Sequence, residues 1–322
     1  MSLVLITGAT GFIGAQVALR TLEAGYTVRL AIRRDAQADK LRRIFSKHEE
    51  KLSFTVVPDI SLTGAFDEAL QGVEYVIHVA SPLSGPVDLL TPAVKGTLSI
   101  LESASKVSTI RKVVVTASVL SLVPMKPIPK GAVLREDDEM DFTIDYDLLP
   151  TLDGLAQYHA SKIASYKAVL DFKANEKPSF DIVTIHPVYV FGRSLIQETA
   201  AELSGTNGML FKSLVSDKPL FGHYGGVHVD DVAVAHVNAL TRPTGSGVEG
   251  YLLSSPRRSW QDVYDFLKRE FPAFPIRFDT MDTADWSVDA GKAERELGIV
   301  FKGMEVQVAE VVKQQLELRG EV

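Results

Sequence analysis

The first fourteen residues restrict the possible folds more than any other stretch of the chain. Leu3 to Ile6 is a short apolar run of the kind that forms a buried strand, and three glycines follow at Gly8, Gly11 and Gly14. Beyond them Phe12, Ile13, Val17, Ala18 and Leu22 fall at helical spacing, and the pattern stops at Gly25, a natural helix C-cap. A helix start offers unpaired N–H groups and the positive end of its dipole, and residues without Cβ let an anion reach the backbone. The turn therefore reads as a cradle for a dinucleotide pyrophosphate, built by Gly8, Thr10, Gly11, Phe12, Ile13 and Gly14. A nucleoside-triphosphate loop is excluded, because no Gly-Lys-Ser/Thr follows.

The same alternation continues downstream. Strand-like runs at Thr27 to Ile32, Leu52 to Val57, Tyr75 to Val79, Lys112 to Ala117 and Phe180 to His186 are mostly separated by helical patterns. This predicts an α/β fold, a doubly wound parallel Rossmann sheet with a smaller C-terminal substrate lobe. Residues 1–187 and 227–254 are assigned to the dinucleotide-binding domain, and 188–226 and 255–322 to the lobe. Thr91 and Pro92 predict the start of a helix over Ala93 to Lys106, as cap and first-turn proline. The stretch Ser118 to Asp153, with Pro124, Pro127 and Pro129, is too long for an ordinary connection and is expected to cover a site.

Composition narrows the class of function. The absence of cysteine removes disulfides, thiolate metal sites and cysteine nucleophiles. A net charge of −7 is the wrong sign for a nucleic-acid or anionic-membrane surface. No apolar run approaches the ~18 residues that span a bilayer. The expectation is a soluble, cytoplasmic protein, monomer or homodimer, that acts on a small molecule. His223, His228 and His236 invite a zinc reading, but Val227 to Leu240 has the pattern of a strand end entering a buried helix, so no metal is expected. Asp230 and Asp231 are read as capping that helix.

The cofactor's second phosphate is legible in charge. An acidic residue that grips a ribose 2′-hydroxyl should lie ~20 residues past the glycines. The chain there reads Ala31-Ile32-Arg33-Arg34-Asp35, so Arg33 is placed to clamp a 2′-phosphate, with Lys40 facing the same anion from the next helical turns. NADP(H) is expected, and Asp35 keeps NAD as the alternative.

Tyr158 and Lys162 form a Tyr-x-x-x-Lys pair on one helix face. An ammonium beside a phenol favours phenolate and is expected to lower the phenol pKa. Tyr264 and Lys268 have the same spacing. Context separates the two pairs: Tyr158 follows a strand that ends in Ser118 and precedes another core strand, whereas Tyr264 lies in the lobe, where a packing role is expected.

The order Gly8/Gly11/Gly14, Ser118, Tyr158, Lys162 resembles the extended short-chain dehydrogenases/reductases, closest to the dihydroflavonol reductase, cinnamoyl-CoA reductase and fungal aldehyde/ketone reductase group. Further matches are Val76 to Pro82, His186 to Gly192, Val227 to Val232 and Leu297-Gly298. The resemblance implies an NADPH-dependent carbonyl reductase. Tyr158 would donate the proton, Ser118 would bind the carbonyl oxygen, and Lys162 would hold the nicotinamide ribose and tune Tyr158. It further implies Asp59 and Ile60 at the adenine, Val79, Ala80 and Ser81 on the adenosine side, and Pro187, Val188 and Val190 at the nicotinamide carboxamide. The family usually has an asparagine in the helix matching Ala93 to Lys106, where this chain offers Ser99. An NAD-dependent nucleotide-sugar epimerase or dehydratase shares the core, but Val119 and Leu120 follow Ser118 where dehydratases tend to carry acidic groups, and Arg33 argues against NAD. A cofactor sensor with a dead site would usually lose Tyr158 or Lys162. Leu120, Leu122, Tyr189, Phe211 and Leu214 are expected to wall an apolar substrate pocket.

Overall fold

The computed structural model describes residues 2–81, 88–278 and 286–321. Pro82, the last residue of one motif named above, lies outside them. In chain order the elements are β1 (Leu3–Thr7), α1 (Phe12–Glu23), β2 (Thr27–Ile32), α2 (Ala38–Ile44), β3 (Leu52–Val56), β4 (Tyr75–His78), α3 (Leu90–Ser105), β5 (Lys112–Thr116) and β6 (Val133–Leu134). They continue with α4 (Gly154–Glu176), β7 (Asp181–Pro187), β8 (Tyr189–Phe191), α5 (Gly205–Leu214), β9 (Gly226–His228), α6 (Val229–Ala239) and β10 (Val248–Leu253). The last four are α7 (Trp260–Glu270), β11 (Ser287–Val288), α8 (Gly291–Leu297) and α9 (Met304–Arg319).

Seven strands form one parallel sheet in the order β10-β7-β5-β4-β1-β2-β3. Its central strands are apolar without alternation because helices cover both faces, as Val113, Val114 and Val115 of β5 show by being buried in succession. The order reverses between β1 and β4, and at such a switch point the carboxyl ends of the strands part to leave a crevice. On one face α1 lays Val17, Ala18 and Leu22 into the same cluster as Val232, Ala233 and Ala235 of α6. Burying a Leu or Val side chain of this kind contributes about 1.5–3 kcal/mol. A separate cluster joins Phe191, Leu210, Leu214, Trp260, Val263 and Val308, so α5, α7 and α9 have their own core beside the sheet.

Two local expectations are corrected. Helix α3 begins at Leu90, before Thr91, because Asp88 Oδ1 accepts the N–H groups of Leu90 and Thr91, at 2.9 and 3.0 Å. Pro92 does lie in its first turn. Helix α6 is capped by His228, whose Nδ1 accepts from the Asp230 N–H at 3.1 Å, and Asp230 and Asp231 occupy the first turn instead. Their carboxylates are engaged by Arg20, Gln16 and Lys302. The long Ser118 to Asp153 stretch is tied down: β6 pairs with β11, and Glu136 Oε1 accepts from the Leu252 N–H at 2.7 Å.

Candidate active site

A cavity of about 1850 Å³ opens at the switch point and extends toward β6 and β11. Its first wall is the turn between β1 and α1. Gly8 has φ +78°, and a Cβ there would sit 2.7 Å from the Ala80 nitrogen. A Cβ on Gly14 would lie 2.1 Å from the Gly8 carbonyl oxygen, so the first turn of α1 can pack on the loop only without a side chain. No side chain caps α1 and no acidic residue stands in its first turn, which leaves the helix N-terminus for an anion. Thr7, not singled out in the sequence, closes the base of this wall: its Oγ1 accepts the N–H groups of Val79 and Ala80, at 3.1 and 3.0 Å. The signal was available, since Thr7 directly precedes the glycines.

All the expected binding residues reach the cavity: Gly8, Thr10, Gly11, Phe12, Ile13, Gly14, Arg33, Lys40, Asp59, Ile60, Val79, Ala80, Ser81, Pro187, Val188 and Val190. Arg34 and Gln37 join Arg33 and Lys40 on its wall, while Asp35 is not among the lining residues. Gln37 Oε1 accepts the N–H groups of Arg33 and Arg34, at 3.0 and 3.1 Å, which fixes the turn that carries both guanidinium groups. Sequence reasoning missed Gln37 because its task is to hold backbone. Lys40 also meets Glu198 at 3.4 Å, so the cation is shared with a residue far along the chain.

The second wall carries Ser118, Tyr158 and Lys162. Ser118 follows β5, and its Oγ accepts the Leu120 N–H at 3.2 Å as the cap of a short 3₁₀ turn. His186 and Ser121 grip the Ser118 carbonyl from behind, at 3.2 and 2.5 Å, so the serine is set by buried polar contacts. Tyr158 and Lys162 lie on α4, whose start is capped by Asp153 accepting from the Ala156 N–H. The Lys162 Nζ is 5.4 Å from the Tyr158 ring centroid and donates to Ser81 Oγ at 3.1 Å.

The electrostatic expectation for Tyr158 is corrected. Burial pushes its phenol up to about 12, and the Ser118 hydrogen bond offsets only part of that. Burial also lowers Lys162 to about 8. At neutral pH the phenol therefore carries its proton, as a donor to a developing alkoxide must, although the raised value makes it the weaker acid.

Other expectations fail in position. Leu120 and Tyr189 line the cavity, but Leu122, Phe211 and Leu214 are packed inside clusters away from it. Leu155, Met209, His223, Pro256 and Trp286 take their place on the wall. Ser99, in the helix where an asparagine was expected from the resemblance, donates to the Leu62 carbonyl at 2.6 Å. Among the described residues, His223, His228 and His236 do not converge. His236 is bound to Thr116 and the Val232 carbonyl, and His228 to Glu310. His228, Asp230 and Asp231 do bring ligating atoms within 4.8 Å of one another. That group is already filled: burial works to raise Asp230, yet hydrogen bonds from Arg20, Lys302 and Gln16 outweigh it and hold the carboxyl below its ordinary range.

Comparisons with known proteins show the family. Residues 4–250 match the NAD dependent epimerase/dehydratase family, so the chain belongs to that family of extended short-chain dehydrogenases/reductases. A ketoreductase of Aspergillus fumigatus is 38% identical over 98% of this chain and 98% of its own. Yeast methylglyoxal/isovaleraldehyde reductase Gre2, solved with NADPH, superimposes with a TM-score of 0.85 at 25% identity, covering 99% of this chain and 100% of its own. Vestitone reductase from alfalfa superimposes with a TM-score of 0.79 at 26% identity, covering all of both chains.

Proposed function

We propose that the chain is an NADPH-dependent carbonyl reductase that converts an aldehyde or ketone to the alcohol through Ser118, Tyr158 and Lys162. The observation that carries this reading is one cavity bounded at once by the uncapped glycine turn, by Arg33, Arg34, Gln37 and Lys40, and by the Ser-Tyr-Lys group, with Asp35 off its wall. The likeness to the A. fumigatus ketoreductase and to the yeast reductase solved with NADPH supports the activity and the cofactor.

NADPH, when bound, supplies the hydride. The α1 N-terminus and the glycine turn hold its pyrophosphate, and Arg33 with Lys40 takes the 2′-phosphate by charge-assisted hydrogen bonds. Asp59 and Ile60 contact the adenine, Val79, Ala80 and Ser81 the adenosine side, and Pro187, Val188 and Val190 the carboxamide. The Ser118 hydroxyl binds the substrate oxygen and orients it. Tyr158 gives that oxygen its proton as negative charge develops there. Lys162 binds the ribose and, as a cation, offsets the charge left on Tyr158.

Residues 188–226 and 255–322 are the lobe that selects the substrate, and 1–187 with 227–254 the part that holds the cofactor. Among the described residues no helix is long and apolar enough to cross a membrane. The cysteine-free composition fits a reducing compartment such as the cytoplasm. NADPH consumption over a panel of aldehydes and ketones, beside turnover of a nucleotide sugar, tests the function. Carbonyl-dependent oxidation of NADPH is expected, and nucleotide-sugar epimerisation without net consumption of NADPH would overturn it.

A further inference from the structure

Beside Lys162 lies a second cavity of about 20 Å³, which shares Ala80, Ser81, Thr116, Ala117 and Lys162 with the wall of the first. His78, Thr97, Lys162 and Ser165 all border it. His78 is 2% exposed, and its Nε2 has no hydrogen-bond partner among the described residues; the Ser165 hydroxyl is likewise buried and unpaired. Buried polar atoms are rarely left so, and two of them on the same small cavity as an ammonium call for a common partner.

The tautomer of His78 follows from its neighbours. Thr7 Oγ1 already accepts from Val79 and Ala80, so its one hydrogen goes to His78 Nδ1, 3.0 Å away. Nδ1 is then the acceptor, and the neutral ring carries its hydrogen on Nε2, the unpaired atom. Burial and the Lys162 cation hold His78 down at about 3, which keeps the ring neutral. Thr97 donates its own hydrogen to the Ala93 carbonyl at 2.9 Å, leaving its oxygen able only to accept. Lys162 spends one hydrogen on Ser81 and has two more. The cavity is thus bounded by donors on His78 and Lys162 and acceptors on Thr97 and Ser165, with room for about one water molecule.

We propose that this cavity is a built water site: one water accepts from His78 Nε2–H and the Lys162 ammonium, donates to Ser165 and Thr97, and makes His78 and Ser165 positioning residues for Lys162. The water replaces hydration that burial takes from the ammonium and, with Ser81, engages two of its three hydrogens, leaving the third for Tyr158 and the cofactor wall. The other titratable groups around Lys162 are Tyr158 and Tyr166 on α4, His78 on β4 and His186 on β7. The functional half of the proposal rests on the role given to Lys162 above; the water itself does not.

A high-resolution crystal structure of the unaltered protein with NADPH reads the water directly. An ordered water within hydrogen-bond distance of His78 Nε2, Lys162 Nζ and Ser165 Oγ is expected, and an empty cavity in a map that shows other buried waters overturns the proposal. Ser165→Val, which fills the space, and Ser165→Ala, which leaves it open, test the consequence. In Ser165→Val the decline of kcat/KM at high pH should move to lower pH by about one unit, a tenfold loss on that limb, with cofactor affinity and Tm close to the parent's. Ser165→Ala should move it less. An unshifted profile in Ser165→Val overturns the positioning role, whereas undiminished turnover by Tyr158→Phe would sink the catalytic reading and leave the water in place.

Discussion

Helices α4 and α7 each carry a Tyr-x-x-x-Lys pair, and in each the Lys Nζ stands 5.4 Å from the ring centroid. Helical spacing alone sets that distance, so it cannot make a site. What differs is what the rest of the fold brings to each pair. Lys162 is 7% exposed, is bound to Ser81 and shares its wall with Ser118. Lys268 is exposed, and the Tyr264 ring stands edge-on to Phe278 in the core of the lobe, 6.0 Å away. The first pair lies on the cavity wall beside hydroxyl groups, with its lysine buried; the second is surface packing.

Removing one hydroxyl from each pair is the sharpest contrast. Tyr158→Phe should lower kcat by about 10²–10⁴-fold with NADPH binding kept, as loss of a general acid requires, and steady-state kinetics with fluorescence titration would check both. Cofactor choice comes next in size. Arg33→Ala with Lys40→Ala should raise the KM for NADPH by roughly tenfold to a hundredfold and spare NADH, and equal changes for the two cofactors would break the assignment.

Burial also singles out three histidines whose pKa values it lowers, His78 to about 3 and His186 and His236 to about 4. Folded chains bind fewer protons than unfolded ones between pH 4 and the ordinary histidine value near 6.5, so stability is present above that value and lost as pH falls through the window. The loss is at most on the order of 3 kcal/mol for each, and denaturant melts at pH 7, 6 and 5 should show falling midpoints. The smallest effects belong to the second pair. Tyr264→Phe should leave kcat within about twofold, and Lys268→Ala should alter stability by no more than about 0.5 kcal/mol by the same melts. A large kinetic loss in either would erase the distinction between the pairs.

Much of this was legible in the chain. The glycine turn is visible because strand, turn and helix are adjacent in sequence, and the sheet because strands buried on both faces read as unbroken apolar runs. The Arg33 turn and Tyr158 were placed by distance from those landmarks. The corrections share one cause, partners that arrive from far along the chain. Asp230 reads as a cap until Arg20 and Lys302 claim its carboxylate. Leu122, Phe211 and Leu214 are as apolar as true wall residues, and only tertiary packing turns them inward. The Tyr158 phenol was expected to be lowered by its neighbour four residues on, yet burial by the whole fold raises it. Gln37 acts on backbone, and backbone partners leave no mark in a sequence.

The central claim is that one aromatic hydroxyl on α4 delivers the proton. A crystal structure of the protein with NADP and a bound ketone tests it most directly. The account predicts the ketone oxygen within hydrogen-bond distance of both Tyr158 Oη and Ser118 Oγ, with the nicotinamide C4 facing the carbonyl carbon. A nicotinamide bound elsewhere, or a carbonyl oxygen beyond reach of Tyr158, would contradict it.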